Sequence, residues 1–255
     1  MTSRTLCPLA AAVLAALLTR APAASAAEVQ VDPVLIELSP ATRSASITLR
    51  NAGGEPSRFE VAVRAWEQSP AGEMRVTPTE DVLVYPPLLA LAPGEARLLR
   101  VGVAPKGAFG AAERSYRVFI EELPPPTKPG EAAQVRILSR LTIPVFLAPF
   151  RAVERAVLAG LTVSGREARF TLRNEGTLRL RASSLKLTAL GADGAVLSQL
   201  ELPAWYVLAG GVRAYQAVLP PERCAEVRTV EVTAALERQT LRAKAAAPGG
   251  VCAPR

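Results

Sequence analysis

Short segments in which apolar and polar residues alternate dominate this sequence. They are predicted to be strands, because successive side chains of a strand point to opposite faces. Turn signals rich in Gly and Pro separate them, and no apolar repeat at helical spacing competes with this pattern. Strands are predicted at residues 29–38, 44–51, 59–66, 82–85, 96–103, 114–123, 228–237 and 240–246. Short strands at this spacing indicate an all-β sandwich. Within it, Pro33 marks an edge or a switch point, because the backbone nitrogen of proline cannot donate a hydrogen bond to a strand ladder.

The second half of the chain repeats the plan of the first. ITLRNAG at residues 47–53 recurs as FTLRNEG at residues 170–176. LAPGEARLLRVGV at residues 91–103 has a weaker echo in LAGGVRAYQAVL at residues 208–219. The separation of about 120 residues is close to the length of one immunoglobulin-type sandwich. We therefore predict two related domains, residues 28–149 and 150–255; the alternative is a chance likeness between two strands.

The first 27 residues have the pattern of a secretory signal peptide. Arg4 precedes an apolar run that ends at Leu18, and small residues suited to cleavage after Ala26 or Ala27 follow. The run is shorter than the roughly 20 residues that a membrane-spanning helix needs. No later stretch is apolar for long enough to span a bilayer. We predict a signal peptide at residues 1–27 and a mature protein outside the cytoplasm with no membrane span.

The charge of the chain is basic but dispersed. The formal net charge of +7 falls to +5 when Arg4 and Arg20 leave with the signal peptide. The basic residues are scattered along alternating segments and few aromatic residues are available to stack bases, so no nucleic-acid partner is expected. Solvated sheet faces explain this pattern, and attraction to acidic proteins or anionic envelope surfaces stays open.

Two cysteines remain after removal of the signal peptide, Cys224 and Cys252. The predicted strands 228–237 and 240–246 form a hairpin, and the midpoint between the cysteines falls at Arg238, in its turn. Antiparallel pairing would bring both cysteines to the open end of the hairpin. In an oxidising compartment we predict a disulfide, whereas a cytosolic protein would keep two free thiols.

The residue types exclude most catalytic chemistry. The sequence contains no histidine, which removes Ser-His triads, Cys-His pairs and most zinc sites. No phosphate loop or calcium loop is present, so we expect no cofactor, no metal and no catalytic residue. Ser183 and Lys186 match the S-x-x-K motif, but they lie in an alternating strand without S-D-N or K-T-G companions. We predict that the chain is not an enzyme; a hydrolase built on this pair is the catalytic alternative.

One stretch, residues 135–149, is apolar on one face at its start and on both faces from Leu141 onward. Ser139 interrupts the apolar face, while Arg136 and Arg140 lie on the opposite face. The odd apolar positions are Val135, Ile137, Leu141, Ile143, Val145 and Leu147. The pattern predicts a strand that enters a core late. Its first half either packs into its own domain or covers another surface.

Several motifs together resemble the periplasmic chaperones of chaperone/usher pilus systems. They are the signal peptide, TLRN-x-G, LAPGE-x-R-x-x-RV, ERSYRVFIEELP, a proline-rich loop and a long strand ending in IPVF-x-x-P. The chain is most similar to the archaic branch, which serves fimbrial subunits of the spore-coat-U type. The resemblance implies two immunoglobulin-like domains in an L or boomerang arrangement. It also implies a periplasmic protein that escorts pilus subunits to an outer-membrane usher.

The resemblance assigns subunit binding to the first half of the long strand. Such a chaperone lends this half to a subunit that lacks its last strand, so that main-chain hydrogen bonds supply affinity and alternate side chains fill pockets. The subunit-binding residues are then Val135, Ile137, Ser139 and Leu141. Residues from Ile143 onward stay in the core of the chaperone itself.

The basic residues by which the family anchors the carboxylate of the subunit are replaced here. The matching positions are Leu35 and Pro144, and neither can bind a carboxylate. Either Arg136, Arg140 or Arg114 takes this role, or the strand alone holds the subunit. Ala148 replaces the arginine that usually precedes the closing proline, which removes one partner of the interdomain ion pair of the family.

A second function is compatible with the same sequence. A secreted two-domain sandwich with a structural or adhesive role in the cell envelope would use residues 135–141 as an ordinary core strand. If the strand is instead lent to subunits, its exposed edge is also compatible with a self-capping oligomer in the resting state.

Overall fold

The structure, a computed structural model, describes residues 28–105, 109–125, 137–247 and 249–252. The predicted signal peptide, Val135 and Arg136 lie outside the described residues. Regular structure in the described part consists of β-strands and one short 3₁₀ turn at Cys224–Glu226. The strands form two sandwiches, each around its own buried apolar core. This confirms the predicted all-β class with two immunoglobulin-like sandwiches.

The first sandwich contains ten strands in two sheets. One sheet has the order β1-β3-β8-β6, and the other has the order β2-β10-β9-β4-β5 with β7 beside β4. The strands are β1 (Val29–Asp32), β2 (Ile36–Leu38), β3 (Ser44–Asn51), β4 (Ser57–Gln68), β5 (Met74–Pro78), β6 (Val82–Tyr85), β7 (Leu88–Leu91), β8 (Ala96–Val103), β9 (Arg114–Leu123) and β10 (Arg140–Leu147).

The second sandwich has a three-stranded sheet, β11-β12-β16, and a larger sheet in the order β14-β13-β17-β18 with β15 beside β13. Its strands are β11 (Ala156–Ser164), β12 (Glu167–Asn174), β13 (Leu180–Leu190), β14 (Val196–Leu202), β15 (Tyr206–Val207), β16 (Val212–Val218), β17 (Thr229–Leu236) and β18 (Thr240–Ala246). β12 lies beside β16 as β3 lies beside β8, so the two repeated segments occupy the same places in both sandwiches.

Pro33 divides the first predicted strand, residues 29–38, into two strands in different sheets. β1 pairs antiparallel with β3, whereas β2 crosses to the other sheet and pairs parallel with β10. A ladder cannot continue through a residue that has no N–H group. Of the two predicted roles of Pro33, an edge or a switch point, the structure shows the switch.

The repeated TLRN-x-G motif is a turn held by a buried asparagine. Asn51 and Asn174, the only asparagines of the sequence, are both buried at the ends of β3 and β12. The Nδ2 group of Asn174 donates to the carbonyls of Leu178, Val207 and Leu208 at 2.7, 2.9 and 2.9 Å. Its Oδ1 atom accepts from the N–H of Gly176 at 3.0 Å. Asn51 makes the equivalent bonds in the first sandwich, which explains why the motif recurs.

The disulfide closes the hairpin of β17 and β18. Cys224 and Cys252 are bonded across a sequence separation of 28 residues. β17 pairs with β18 from Thr229 opposite Ala246 to Ala235 opposite Thr240. The cysteines therefore lie at the open end of the hairpin, and the predicted disulfide is confirmed.

A small apolar cluster joins the two sandwiches. Trp66 of β4 and Phe146 of β10 are buried against Leu208 of the second sandwich, and we call these three residues the junction. Tyr206 packs on it with ring centroids 6.1 Å from Trp66 and 5.6 Å from Phe146. Aromatic pairs at such spacing add to the stabilisation from buried area.

An ion cluster covers the junction. The guanidinium of Arg179, from the second sandwich, lies 3.9 Å above the ring of Phe146 and binds Glu37 and Glu113 of the first sandwich. The Nη1–Glu113 Oε2 distance is 2.5 Å, and the side chain of Glu113 is only 2% exposed. Burial raises the pKa of the Glu113 carboxyl, and the charge of Arg179 offsets only part of this. An interdomain ion contact thus exists despite Ala148, carried by other residues.

Backbone hydrogen bonds extend this contact. The N–H of Glu113 donates to the carbonyl of Thr177 at 2.8 Å, and the N–H of Ala214 donates to the carbonyl of Pro70 at 2.7 Å. The side-chain amide of Gln68 donates to the carbonyl of Tyr206 at 3.0 Å. Strands β4 and β9 are therefore fixed to the second sandwich at one end.

Replacing the turn asparagine should destabilise the second sandwich. We expect Asn174→Ala to lower the free energy of unfolding by about 2–4 kcal/mol, because several buried carbonyls lose their donor. Urea unfolding measures this change. Gln199→Ala on the exposed face of β14 is the control, with an expected change within about 0.5 kcal/mol. Equal effects of the two substitutions would contradict the role assigned to Asn174.

Replacing Arg179 should loosen the contact between the sandwiches. We expect Arg179→Gln to cost about 3 kcal/mol, because it leaves the buried carboxylate of Glu113 without its charged partner. Tryptophan fluorescence during urea unfolding monitors the junction through Trp66. The matched control is Arg181→Gln, which breaks an exposed ion pair with Glu237 and should cost less than about 1 kcal/mol. A loss no larger than that of the control would show that Arg179 does not support the junction.

Candidate functional site

β10 is the long strand predicted at residues 135–149, and within the described residues it begins at Arg140. Its second half belongs to the core of the first sandwich, since Ile143, Val145 and Leu147 are buried there. β9 pairs with the whole of β10, but β2 pairs only with the part from Val145 to Leu147. Among the described residues, the edge of β10 opposite β9 therefore has no strand partner from Arg140 to Pro144.

The residues before β10 extend this open edge. Ser139 continues the ladder by one residue, because its carbonyl accepts from the N–H of Glu122 at 2.9 Å. The N–H of Ser139 donates to the carboxylate of Glu122 at 3.0 Å. Ile137 is 69% exposed, and its neighbour Leu138 is also exposed. An apolar side chain is thus presented to solvent beside a strand edge.

The four predicted subunit-binding residues have different environments. Ile137 is exposed, Ser139 is half-buried, and Val135 lies outside the described residues. Leu141 is half-buried and packs partly on the core of the first sandwich. Along this stretch, apolar side chains therefore change from exposed to buried at Leu141.

The predicted anchor arginines in the described part already have acidic partners. Arg140 binds Glu121 with an N–O distance of 3.0 Å, and Arg114 binds Asp81 at 2.6 Å. Tyr116 also donates to Asp81, at 3.0 Å. Arg136 lies outside the described residues. Binding of a subunit carboxylate by Arg140 or Arg114 would compete with an existing ion pair.

The two positions at which the family has basic residues carry apolar residues here, Leu35 and Pro144. Leu35 packs against the junction, and Pro144 lies opposite Arg117 of β9 in the strand register. Arg117 was not among the residues singled out from the sequence. A signal for it was present in RSYRVFIEEL, because Arg117 interrupts a run that is apolar on both faces.

Two cavities flank Trp66 between the sandwiches. One, of about 410 Å³, has Glu113, Arg114 and Tyr116 in its wall. The other has a volume of about 360 Å³. Its wall includes Trp66, Gln68, Met74, Arg117, Trp205 and Arg213. No sequence motif indicated a binding role for any of these six residues.

The two side chains of the S-x-x-K pair make separate contacts. The hydroxyl of Ser183 donates to the carbonyl of Ala235 at 3.1 Å. Lys186 lies on the same strand, 3.6 Å from the carboxylate of Glu201. Both residues lie on β13, and their side chains contact the neighbouring strands β17 and β14.

Within the described ranges, no helix has the length and apolar character needed to cross a bilayer.

No curated protein matches this sequence. Residues 28–152 match the family model of the pili and flagellar-assembly chaperones, PapD N-terminal domain.

Solved structures of pilus chaperones have a similar fold. A chain of the CsuC–CsuE chaperone–tip adhesion subunit complex, from the archaic chaperone-usher Csu pili of Acinetobacter baumannii, has a TM-score of 0.58 at 15% identity. The match covers 86% of this chain and 98% of that one. The CupB2 chaperone of Pseudomonas aeruginosa has a TM-score of 0.53 at 14% identity, covering 86% and 100%. The complex of the SafA pilin with the SafB chaperone of Salmonella enterica gives 0.52 at 15% identity, covering 85% and 95%.

These matches confirm the resemblance drawn from the sequence motifs. The family match covers the sandwich that carries β10, and the likeness in fold covers both sandwiches. Residues 28–152 thus match the model of the pili and flagellar-assembly chaperones, and the two sandwiches share the fold of the solved pilus chaperones.

Proposed function

We propose that this chain captures pilus subunits in the periplasm by lending them a strand edge, and that it delivers them to an outer-membrane usher. The observation that supports this best is the open edge of β10. From Arg140 to Pro144 it has no strand partner among the described residues, and Ile137 is exposed just before it. An edge of this kind invites pairing with another chain.

The lent surface would consist of Val135, Ile137, Ser139 and Leu141, on the face that continues into the core as Ile143 and Val145. Main-chain groups of the edge would pair with a strand of the subunit whatever its sequence. Each apolar side chain of this size that becomes fully buried contributes about 1.5–3 kcal/mol. Because Leu141 already packs partly on its own core, Ile137 should contribute the most among the described residues.

The strand edge, rather than a basic anchor, would then supply most of the affinity. Arg140 and Arg114 are paired with Glu121 and Asp81, so using either as an anchor requires that an ion pair be exchanged. Arg136, which lies outside the described residues, stays a candidate anchor.

Within this proposal residues 1–27 are the signal peptide, residues 28–149 form the subunit-binding domain and residues 150–255 form the second domain. Export to the periplasm fits the disulfide of Cys224 and Cys252, because disulfides persist in oxidising compartments.

A charge at position 137 should prevent capture. We expect Ile137→Asp to weaken the complex with a pilus subunit by about 100-fold or more, because it removes apolar burial and forces a carboxylate into an apolar groove. The measurement is the yield of complex when the chain is co-expressed with a subunit encoded in its own gene neighbourhood. Circular dichroism and thermal melting establish that the variant is folded.

Leu138→Asp is the matched control. Leu138 is the adjacent exposed residue, and its side chain belongs to the opposite face of an extended chain, so we expect the complex to form nearly as well as with the unchanged protein. Equal losses for the two variants, unfolding of the Ile137 variant, or a neighbourhood without usher and subunit genes would contradict the proposal.

A further inference from the structure

The backbone groups of β10 point alternately to β9 and to the open edge. The carbonyl of Ser139 accepts from the N–H of Glu122 at 2.9 Å, and the N–H of Ala148 donates to the carbonyl of Leu38 at 2.8 Å. Because successive residues of a strand turn their N–H and C=O groups to opposite sides, the even-numbered residues of β10 face away from β9. The residues that present backbone groups to the open edge are Arg140, Thr142 and Pro144.

Pro144 limits how far a partner strand can pair along this edge. The nitrogen of proline carries no hydrogen, so Pro144 cannot donate to a strand that lies beside β10. Within β10, the N–H groups of Arg140 and Thr142 face the open edge and have no strand partner among the described residues. A partner strand that extended as far as Pro144 would leave one of its own carbonyls without a donor. Thr142 is thus the last residue of the open edge at which a complete ladder can form.

The chain that leads into β2 blocks the same edge. β2 lies on the side of β10 away from β9, and it begins at Ile36, opposite Val145. The residues before it cross from the other sheet, where β1 ends at Asp32. Val34 is two residues from Ile36, at most about 7 Å along an extended chain, and it is 73% exposed. Val34 therefore lies in the path of a strand that advances along the open edge towards β2.

The residues on both sides of Val34 hold this segment in place. The side chain of Leu35 packs against the junction. Pro33 is the residue at which the chain changes sheets, and its ring restricts the backbone there. The segment therefore cannot move aside without loss of these contacts. We call Pro144 together with residues 33–35 the end-stop.

We propose that the end-stop fixes the register of a strand captured on the open edge. The captured strand is that of a pilus subunit, so this inference rests on the proposed function. Main-chain pairing alone defines register weakly, since a shift of two residues keeps the same side chains on each face. Such a shift towards β2 brings the strand against Val34 and beside the missing N–H of Pro144. The captured strand therefore stops at Thr142, and a steric and hydrogen-bonding limit sets its position.

The end-stop also defines the kind of segment that fits. A segment that continued straight past Thr142 would need the place that β2 occupies beside Val145. The bound segment must therefore finish, or turn away from β10, next to Thr142. A chain end or a strand followed directly by a turn meets this condition, whereas the middle of a long strand does not.

Amide hydrogen exchange measured by NMR locates the last paired residue. The chain without its signal peptide is compared alone and in complex with the co-expressed subunit that its own gene neighbourhood encodes. We expect the N–H groups of Arg140 and Thr142 to exchange at least about tenfold more slowly in the complex, because the partner strand closes the open edge. The N–H groups of Leu141 and Ile143 already face β9 and should slow by a smaller factor.

Cysteine cross-linking measures the register itself. Arg140→Cys is combined with single cysteines placed in turn along the paired strand of the subunit, and the disulfide yields are compared. With the end-stop unchanged, we expect one position to dominate, with at least about tenfold less product two residues to either side. The double variant Pro144→Ala and Val34→Ala restores the N–H and removes the bulk. Product should then also appear two residues along the subunit strand.

The matched control makes the same two changes far from the open edge. It is the double variant Pro78→Ala and Val196→Ala, at exposed positions at the end of β5 and the start of β14. We expect it to keep the single register. Thermal melting establishes that each variant is folded. The exchange measurement needs no substitution, so it tests the end-stop even where a variant does not fold.

The outcomes separate the end-stop from subunit capture. Several registers with the end-stop unchanged, one register in the double variant at positions 144 and 34, or slowed exchange at Arg140 without Thr142 overturn the end-stop and leave capture intact. Failure to form a complex, or a complex in which neither N–H is protected, overturns the proposed function together with the end-stop.

Discussion

The contact between Arg179 and Phe146 is the interaction on which the rest of the structure depends. Phe146 belongs to the buried half of β10, and Arg179 belongs to the second sandwich. The same guanidinium binds Glu37 of β2 and Glu113 just before β9. These strands are the two neighbours of β10, so a single cation ties the three strands that position the open edge to the second domain. A partly buried ion cluster of this kind is costly to break, which favours one arrangement of the domains.

The open edge of β10 results from the unequal lengths of its neighbours. β9 is long enough to pair with every residue of β10, whereas β2 has only three residues because Pro33 ends the preceding strand in the other sheet. One side of the strand is therefore covered for its full length and the other side only at its end. A proline near the N-terminus thus contributes to exposing an edge more than a hundred residues later in the sequence.

The two groups of arginines near the cleft differ in their partners. Arg140 and Arg114 lie on exposed or half-exposed surface and form ion pairs with Glu121 and with Asp81, which lies just before β6. Arg117 and Arg213 lie between the sandwiches, and neither forms an ion pair within the described residues. Their guanidinium groups instead face aromatic rings, Arg117 that of Trp66 and Arg213 that of Tyr215.

The sequence by itself determined the features that depend on local pattern. Alternation predicted most strands of the first sandwich, but not β5 and β7, and it predicted the hairpin of β17 and β18. Pro33 indicated an edge or a switch of sheets, the recurrence of TLRN-x-G the two sandwiches, and the spacing of Cys224 and Cys252 the disulfide. Each of these follows from period, turn chemistry or hairpin symmetry, which neighbouring residues define. The tertiary structure alone decided which charges are paired. Whether Arg117 meets an acid depends on the register of distant strands and on the approach of the second sandwich, and alternation carries no information about either.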